Sequence, residues 1–107
     1  ARTLAEGIVE MIRRDVSGIH HLTDSGVASW YDFAVAIQDL AMERGLLSSR
    51  ARIEPIATSE YPTPAVRPAY SVLEKTSSFE ILGGPTPHWR ESLAQCLDSW
   101  IPNDSVQ

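Results

Sequence analysis

Three prolines within seven residues, Pro62, Pro64 and Pro68, constrain this chain more than any other feature. Each removes a backbone donor and fixes φ, and each biases the preceding residue away from the helical region. The stretch from Glu60 to Pro68 is therefore neither helix nor strand. A loop this stiff holds its side chains in place at little entropic cost, which suits a binding edge.

The remaining chain reads as alternating helix and strand. Leu4, Ile8, Met11 and Ile12 share one helical face from Thr3 to about Arg14, and Thr3 with Glu6 has the spacing of a capping box. Gly18 breaks that pattern. Ile19 to Thr23 then reads as a short strand, with Asp24-Ser25-Gly26 as its turn. The best-marked helix runs from Ser29 to about Arg44. Ser29 stands at its N-cap, Asp32 is three residues on, and Gly45 is just past its end. Its apolar stripe is Trp30, Phe33, Ala34, Ile37, Leu40 and Ala41. Arg52 to Thr58, with Ile53 and Ile56, reads as a second strand. Strand, helix and strand in this order predict a parallel βαβ unit with a right-handed crossover. A short helix is expected from about Lys75 to Leu82, stopped by Gly83-Gly84. A last helix has Thr86 at N-cap, Pro87 at N1 and a stripe of Trp89, Leu93, Cys96, Leu97, Trp100 and Ile101. The fold class expected is thus α/β, a small parallel βαβ unit flanked by three helices. One lobe covers residues 1–101, with a flexible tail at 102–107.

Composition narrows the function classes. Nine Lys and Arg against fourteen Asp and Glu leave a net charge of −5, the wrong sign for a general nucleic-acid or anionic-membrane binder. A single cysteine, Cys96, permits no internal disulfide and fits a reducing compartment. No run approaches the ~20 apolar residues of a membrane span, and no basic-then-apolar leader pattern occurs, so a cytoplasmic location is expected. At 107 residues, a dinucleotide-binding domain and a separate substrate domain do not both fit.

Most familiar site chemistries lack their spacing. His20 and His21 are adjacent on the expected strand and point to opposite faces, while His88 and Cys96 have no zinc spacing, so no metal is expected. No Gly-x-Ser-x-Gly elbow accompanies the Ser, His and Asp residues, and neither Gly-x-Gly-x-x-Gly nor a phosphate-binding loop occurs. The tryptophans Trp30, Trp89 and Trp100 lie on helical stripes and read as core. Arg67 is different, standing between Pro64 and Pro68. Its planar guanidinium suits two oxygens of a phosphate, or an ion pair with Glu60 or Glu74; the spacing leaves both open.

Gly18-Ile19-His20-His21-Leu22-Thr23-Asp24-Ser25-Gly26, then Ser29-Trp30-Tyr31-Asp32-Phe33-Ala34, resembles the C-terminal part of the dTDP-4-dehydrorhamnose reductases. So do the run from Pro55 to Leu73 and the closing Pro87-His88-Trp89-Arg90-Glu91-Ser92-Leu93. Three motifs in order, spread from Ala1 to Trp100, make the resemblance specific to that family of extended short-chain dehydrogenases/reductases. It implies an enzyme that uses NADPH or NADH to reduce the 4-keto group of dTDP-4-dehydro-L-rhamnose, giving dTDP-L-rhamnose for polysaccharides. In such an enzyme Arg67 would engage the diphosphate, while Tyr61, Thr63, Tyr70 and Ser71 would lie near the nucleotide-sugar.

The resemblance has a gap. Four residues after Tyr31, Tyr61 and Tyr70 stand Val35, Ala65 and Glu74, so the family's catalytic Tyr-x-x-x-Lys is absent, and Lys75 is one residue too far from Tyr70. The glycine-rich cofactor turn is absent too. The expectation is a substrate-binding lobe cut from its Rossmann domain, inactive alone and binding no cofactor itself. Its partners would be the dTDP-sugar, the missing domain and a second copy joined through the exposed apolar face. The alternative is a freestanding, non-catalytic module for nucleotide-sugar or protein binding.

Overall fold

The helix expected from Ser29 is capped as its sequence requires. Ser29 Oγ accepts from the Asp32 amide at 3.0 Å, and Asp32 Oδ2 accepts from the Ser29 amide at 2.9 Å. In the computed structural model, which describes residues 1–61 and 63–100, this helix is the second of four. They are α1 (Arg2–Arg13), α2 (Trp30–Glu43), α3 (Thr76–Leu82) and α4 (Trp89–Asp98), with a 3-10 turn at Thr58–Glu60. The chain forms two compact units. One comprises Ala1–Val27 and Ser71–Ser92, the other Ala28–Tyr70 and the chain from Leu93.

The expected parallel βαβ unit is not formed: among the described residues there is no strand, and the fold is helical. The only β-type pairing described is one parallel bridge, Ser25 to His88. Side chains explain the difference, because they take the backbone groups a neighbouring strand would have used. In the 19–23 stretch and its turn, His21 O accepts from Ser78 Oγ, Thr23 O from Thr86 Oγ1 at 2.8 Å, and Asp24 O from Lys75 Nζ at 2.8 Å. At 51–58 the Ala51 amide donates to Gln38 Oε1 at 2.6 Å and the Ala57 amide to Glu60 Oε1 at 3.0 Å. The two expected strands also belong to different units.

In the first unit α1 packs on α3. Gly7 is buried on α1; a Cβ there would meet the Leu22 side-chain methyl, which would have to shift, and would stand at ordinary contact distance, 3.7 Å, from Leu82 Cδ1 of α3. Arg14 bonds Glu10 Oε1 at 2.8 Å and donates to the carbonyl of Ile81, near the end of α3. The capping box expected from Thr3 and Glu6 is not formed. The helix starts earlier, with Ala1 at its N-cap, and Thr3 lies inside it. At the start of α3 the Glu74 carboxylate accepts from the Thr76 amide, and hydrogen bonds from Thr76, its side chain first and its backbone second, hold the carboxyl below its ordinary value.

In the second unit the buried apolar residues described are Ala36, Leu40 and Ala41, all on α2. Leu40 and Ala41 of the expected stripe are buried, and Phe33 and Ala34 half-buried, but its first residue is not covered: Trp30 is 86 % exposed, its ring edge-on to Phe33 at 6.2 Å. Trp100 is also exposed, so of the three tryptophans read as core only Trp89 is half-buried. Beyond α2, Gly45 adopts φ +69°, and the bonds Gly45 N to Met42 O and Leu46 N to Ala41 O complete a Schellman end. Arg44 Nε then reaches Asp98 Oδ1 at 2.6 Å and ties α2 to α4, while Arg50 bonds Asp39 at 2.6 Å. The expected N-cap of the last helix also moves: α4 begins at Trp89, and the Thr86 hydroxyl is engaged by Thr23 O. Pro62, Ile101 and the tail expected at 102–107 lie outside the described residues.

The cap at α2 gives a direct stability prediction. Ser29→Ala removes one acceptor and lowers stability by about 1 kcal/mol in denaturant melts at neutral pH. Hydrogen bonds from Ser29, the backbone one foremost, hold the Asp32 carboxyl below its ordinary value. A folded pKa below the unfolded one contributes stability above the ordinary carboxylate range and loses it as pH falls through the folded value. Asp32→Asn should lack that acid-side loss.

Candidate functional site

The residues singled out by sequence for ligand contact lie in one exposed stretch after the 3-10 turn. Tyr61 is 68 % exposed and Tyr70 74 % exposed; Thr63, Arg67 and Ser71 are exposed as well. Tyr61, Thr63, Arg67 and Tyr70 belong to the second unit, and Ser71 begins the return of the chain to the first. Among the described residues no hydrogen bond or ion pair joins any two of the five. Thr63 Oγ1 donates to the Ala65 carbonyl at 2.8 Å, a local closure that fixes the turn between the prolines.

Arg67 is the chemical centre of this stretch. Its two alternative acidic partners are occupied at home. Glu60 Oε1 accepts from the Ala57 amide within the 3-10 turn, and the Glu74 carboxylate accepts from Thr76 at the start of α3. Among the described residues Arg67 makes no ion pair, whereas Arg13, Arg14, Arg44, Arg50 and Arg52 each face a carboxylate. An exposed guanidinium without a carboxylate keeps its planar fork of donors available to an anion.

His20 is held by hydrogen bonds within the fold. His20 Nε2 lies 2.8 Å from the Ser17 carbonyl, so that nitrogen carries a proton, and Nδ1 lies 3.1 Å from Ser77 Oγ. Among the described residues no group of three His, Cys, Asp or Glu side chains could hold a metal ion. Gly83 and Gly84 follow α3 and lead into the 85–88 segment. They are not the strand-to-helix turn on which a dinucleotide pyrophosphate rests.

Sequence reading missed a group of polar side chains that organise the neighbouring turn. Lys75 Nζ donates to Thr23 Oγ1 and to the Asp24 carbonyl, both at 2.8 Å, and Ser25 Oγ donates to the Thr86 carbonyl at 2.7 Å. The Ser25 amide donates to Pro87 O and the Trp89 amide to Ser25 O, each at 2.9 Å. The signal available was Lys75-Thr76-Ser77-Ser78, a polar run in a helix that must still pack one face.

Comparison with known proteins gives this geometry its context. A family model described as the RmlD substrate binding domain matches residues 1–101. The chain is 37 % identical over 97 residues to the spore coat polysaccharide biosynthesis protein SpsK of Bacillus subtilis (strain 168), covering 90 % of this chain and 31 % of the relative. It is 36 % identical over 110 residues to the dTDP-4-dehydrorhamnose reductase of Burkholderia thailandensis, covering 91 % and 36 %. To the enzyme of that name from Escherichia coli (strain K12) it is 30 % identical over 98 residues, covering 92 % and 33 %. The chain thus spans about a third of the length of the curated relatives it matches. No solved structure matches.

Proposed function

Because this chain belongs to the RmlD substrate binding domain family, we propose that it is the part of a dTDP-4-dehydrorhamnose reductase that holds the dTDP-sugar. Arg67 takes oxygens of the diphosphate, and Tyr61, Thr63, Tyr70 and Ser71 lie along the nucleotide-sugar. The observation that supports this reading is the state of Arg67: exposed, flanked by Pro64 and Pro68, and without a carboxylate among the described residues. A guanidinium held on a stiff segment loses little entropy when it meets a phosphate edge-on.

Hydride transfer to the 4-keto group and protonation of the product belong to the rest of the reductase. Its reductant would be NADPH or NADH. No tyrosine of this sequence is followed four residues later by lysine, and no glycine-rich turn offers the cofactor a seat. The chain alone is therefore not a reductase in this reading. The reaction would take place in the cytoplasm, and no described helix is long and apolar enough to cross a membrane. In a full-length relative, replacing the arginine equivalent to Arg67 with alanine should weaken dTDP-sugar binding at least tenfold, as expected when a charge-assisted bidentate contact is lost. Affinity unchanged within about twofold would remove Arg67 from the site.

One observation favours a second property. On α1, Leu4, Ile8, Val9 and Ile12 are between 47 % and 73 % exposed, a contiguous apolar stripe on a short helix. Such a face is uncommon on a monomer. As an isolated module the chain would self-associate through it, and sedimentation equilibrium should show dimer growing with concentration. A monomer at every concentration would contradict this.

A further inference from the structure

We propose that the first turn of α4 is governed by the protonation of His88: the turn is capped while the imidazole is neutral and released when it is charged. His88 stands immediately before Trp89, and its carbonyl accepts the first helical bond, from the Ser92 amide at 3.1 Å. That is the N-cap position, and its side chain behaves as a cap, with Nδ1 accepting from the Arg90 amide at 3.2 Å.

The ring is held where it can do this. The bonds Ser25 N to Pro87 O and Trp89 N to Ser25 O bracket His88 on both sides. Gly26, at φ +91°, leaves the space the ring occupies; a Cβ there would stand 2.5 Å from His88 Nε2. The ring also lies against Trp89, with centroids 5.5 Å apart. The residue better suited to cap, Thr86, has its hydroxyl committed to Thr23 O at 2.8 Å.

Chemistry then supplies the sensitivity. Only a neutral imidazole protonated at Nε2 has a lone pair on Nδ1, whereas an imidazolium donates at both nitrogens and cannot cap. The cation would also sit at the positive end of the helix dipole. The charged groups of the adjoining segments are Asp24 in the 24–26 turn, Lys75, whose Nζ donates to the Asp24 carbonyl, and Arg90 and Glu91 in the first turn of α4. Among the described residues none of them forms an ion pair with His88. Ser, Thr and Asn caps lack this property, since none titrates between pH 5 and 8, where a histidine does.

Amide exchange of the chain, followed by NMR from pH 8 to pH 5 as protection factors, tests this directly. Protection of Arg90 and Ser92 should fall about fivefold, the worth of one cap, in step with the His88 ring resonances, while the amides of α2 stay level. In His88→Asn, which keeps an acceptor but does not titrate, that fall should vanish; His88→Ser serves the same purpose if the asparagine variant does not fold. Wild-type protection that stays level while His88 titrates would overturn the proposal. So would an equal fall in the non-titrating variant, which would trace the effect to His20 or His21.

Discussion

Side-chain donors of residues 75–86 bonded to the backbone carbonyls of residues 21–24 hold the first unit in register. Ser78, fully buried, gives its hydroxyl to His21 O, Thr86 gives its own to Thr23 O, and Lys75 reaches Asp24 O. Removing such a donor leaves a carbonyl without its partner, at a cost of about 1–3 kcal/mol where it is shielded from water. These bonds do the work that ladder bonds do in a sheet, and they fix where Ser25 meets the Pro87–Trp89 segment. The start of α4, and the seat of His88 on Gly26, follow from that meeting.

That substitution of side chain for strand also explains what could be read from the sequence. Local signals that act within a few residues were legible. The Ser29–Asp32 box, the glycine past Arg44 and the stop at Gly83-Gly84 each close a helix end by short-range bonds. The five residues marked as ligand contacts are all exposed. The strands were not legible, because alternation of apolar residues at 19–23 describes an extended chain without saying what pairs with it. Thr86 looked like a cap because its spacing suited one, yet its hydroxyl found a carbonyl 63 residues away in sequence. Helical periodicity placed Trp30 on an apolar face, but it could not show that this end of α2 stays open to solvent.

The small interior and the exposed α1 stripe are consistent with a piece whose relatives are about three times as long. Here the apolar face and the polar site belong to separate stretches. The stripe lies on α1, whereas Arg67 and its tyrosines lie on the proline-braced segment, where the chain offers exposed donors and aromatic rings rather than packing.

The central claim is that residues 61–71 grip a nucleotide-sugar. Titrating a dTDP-sugar into the isotope-labelled chain and following its amide spectrum would test it most directly. The account predicts saturable shifts concentrated at Tyr61, Thr63, Arg67, Tyr70 and Ser71. Saturable shifts confined to other parts of the chain, with this segment unmoved, would contradict it.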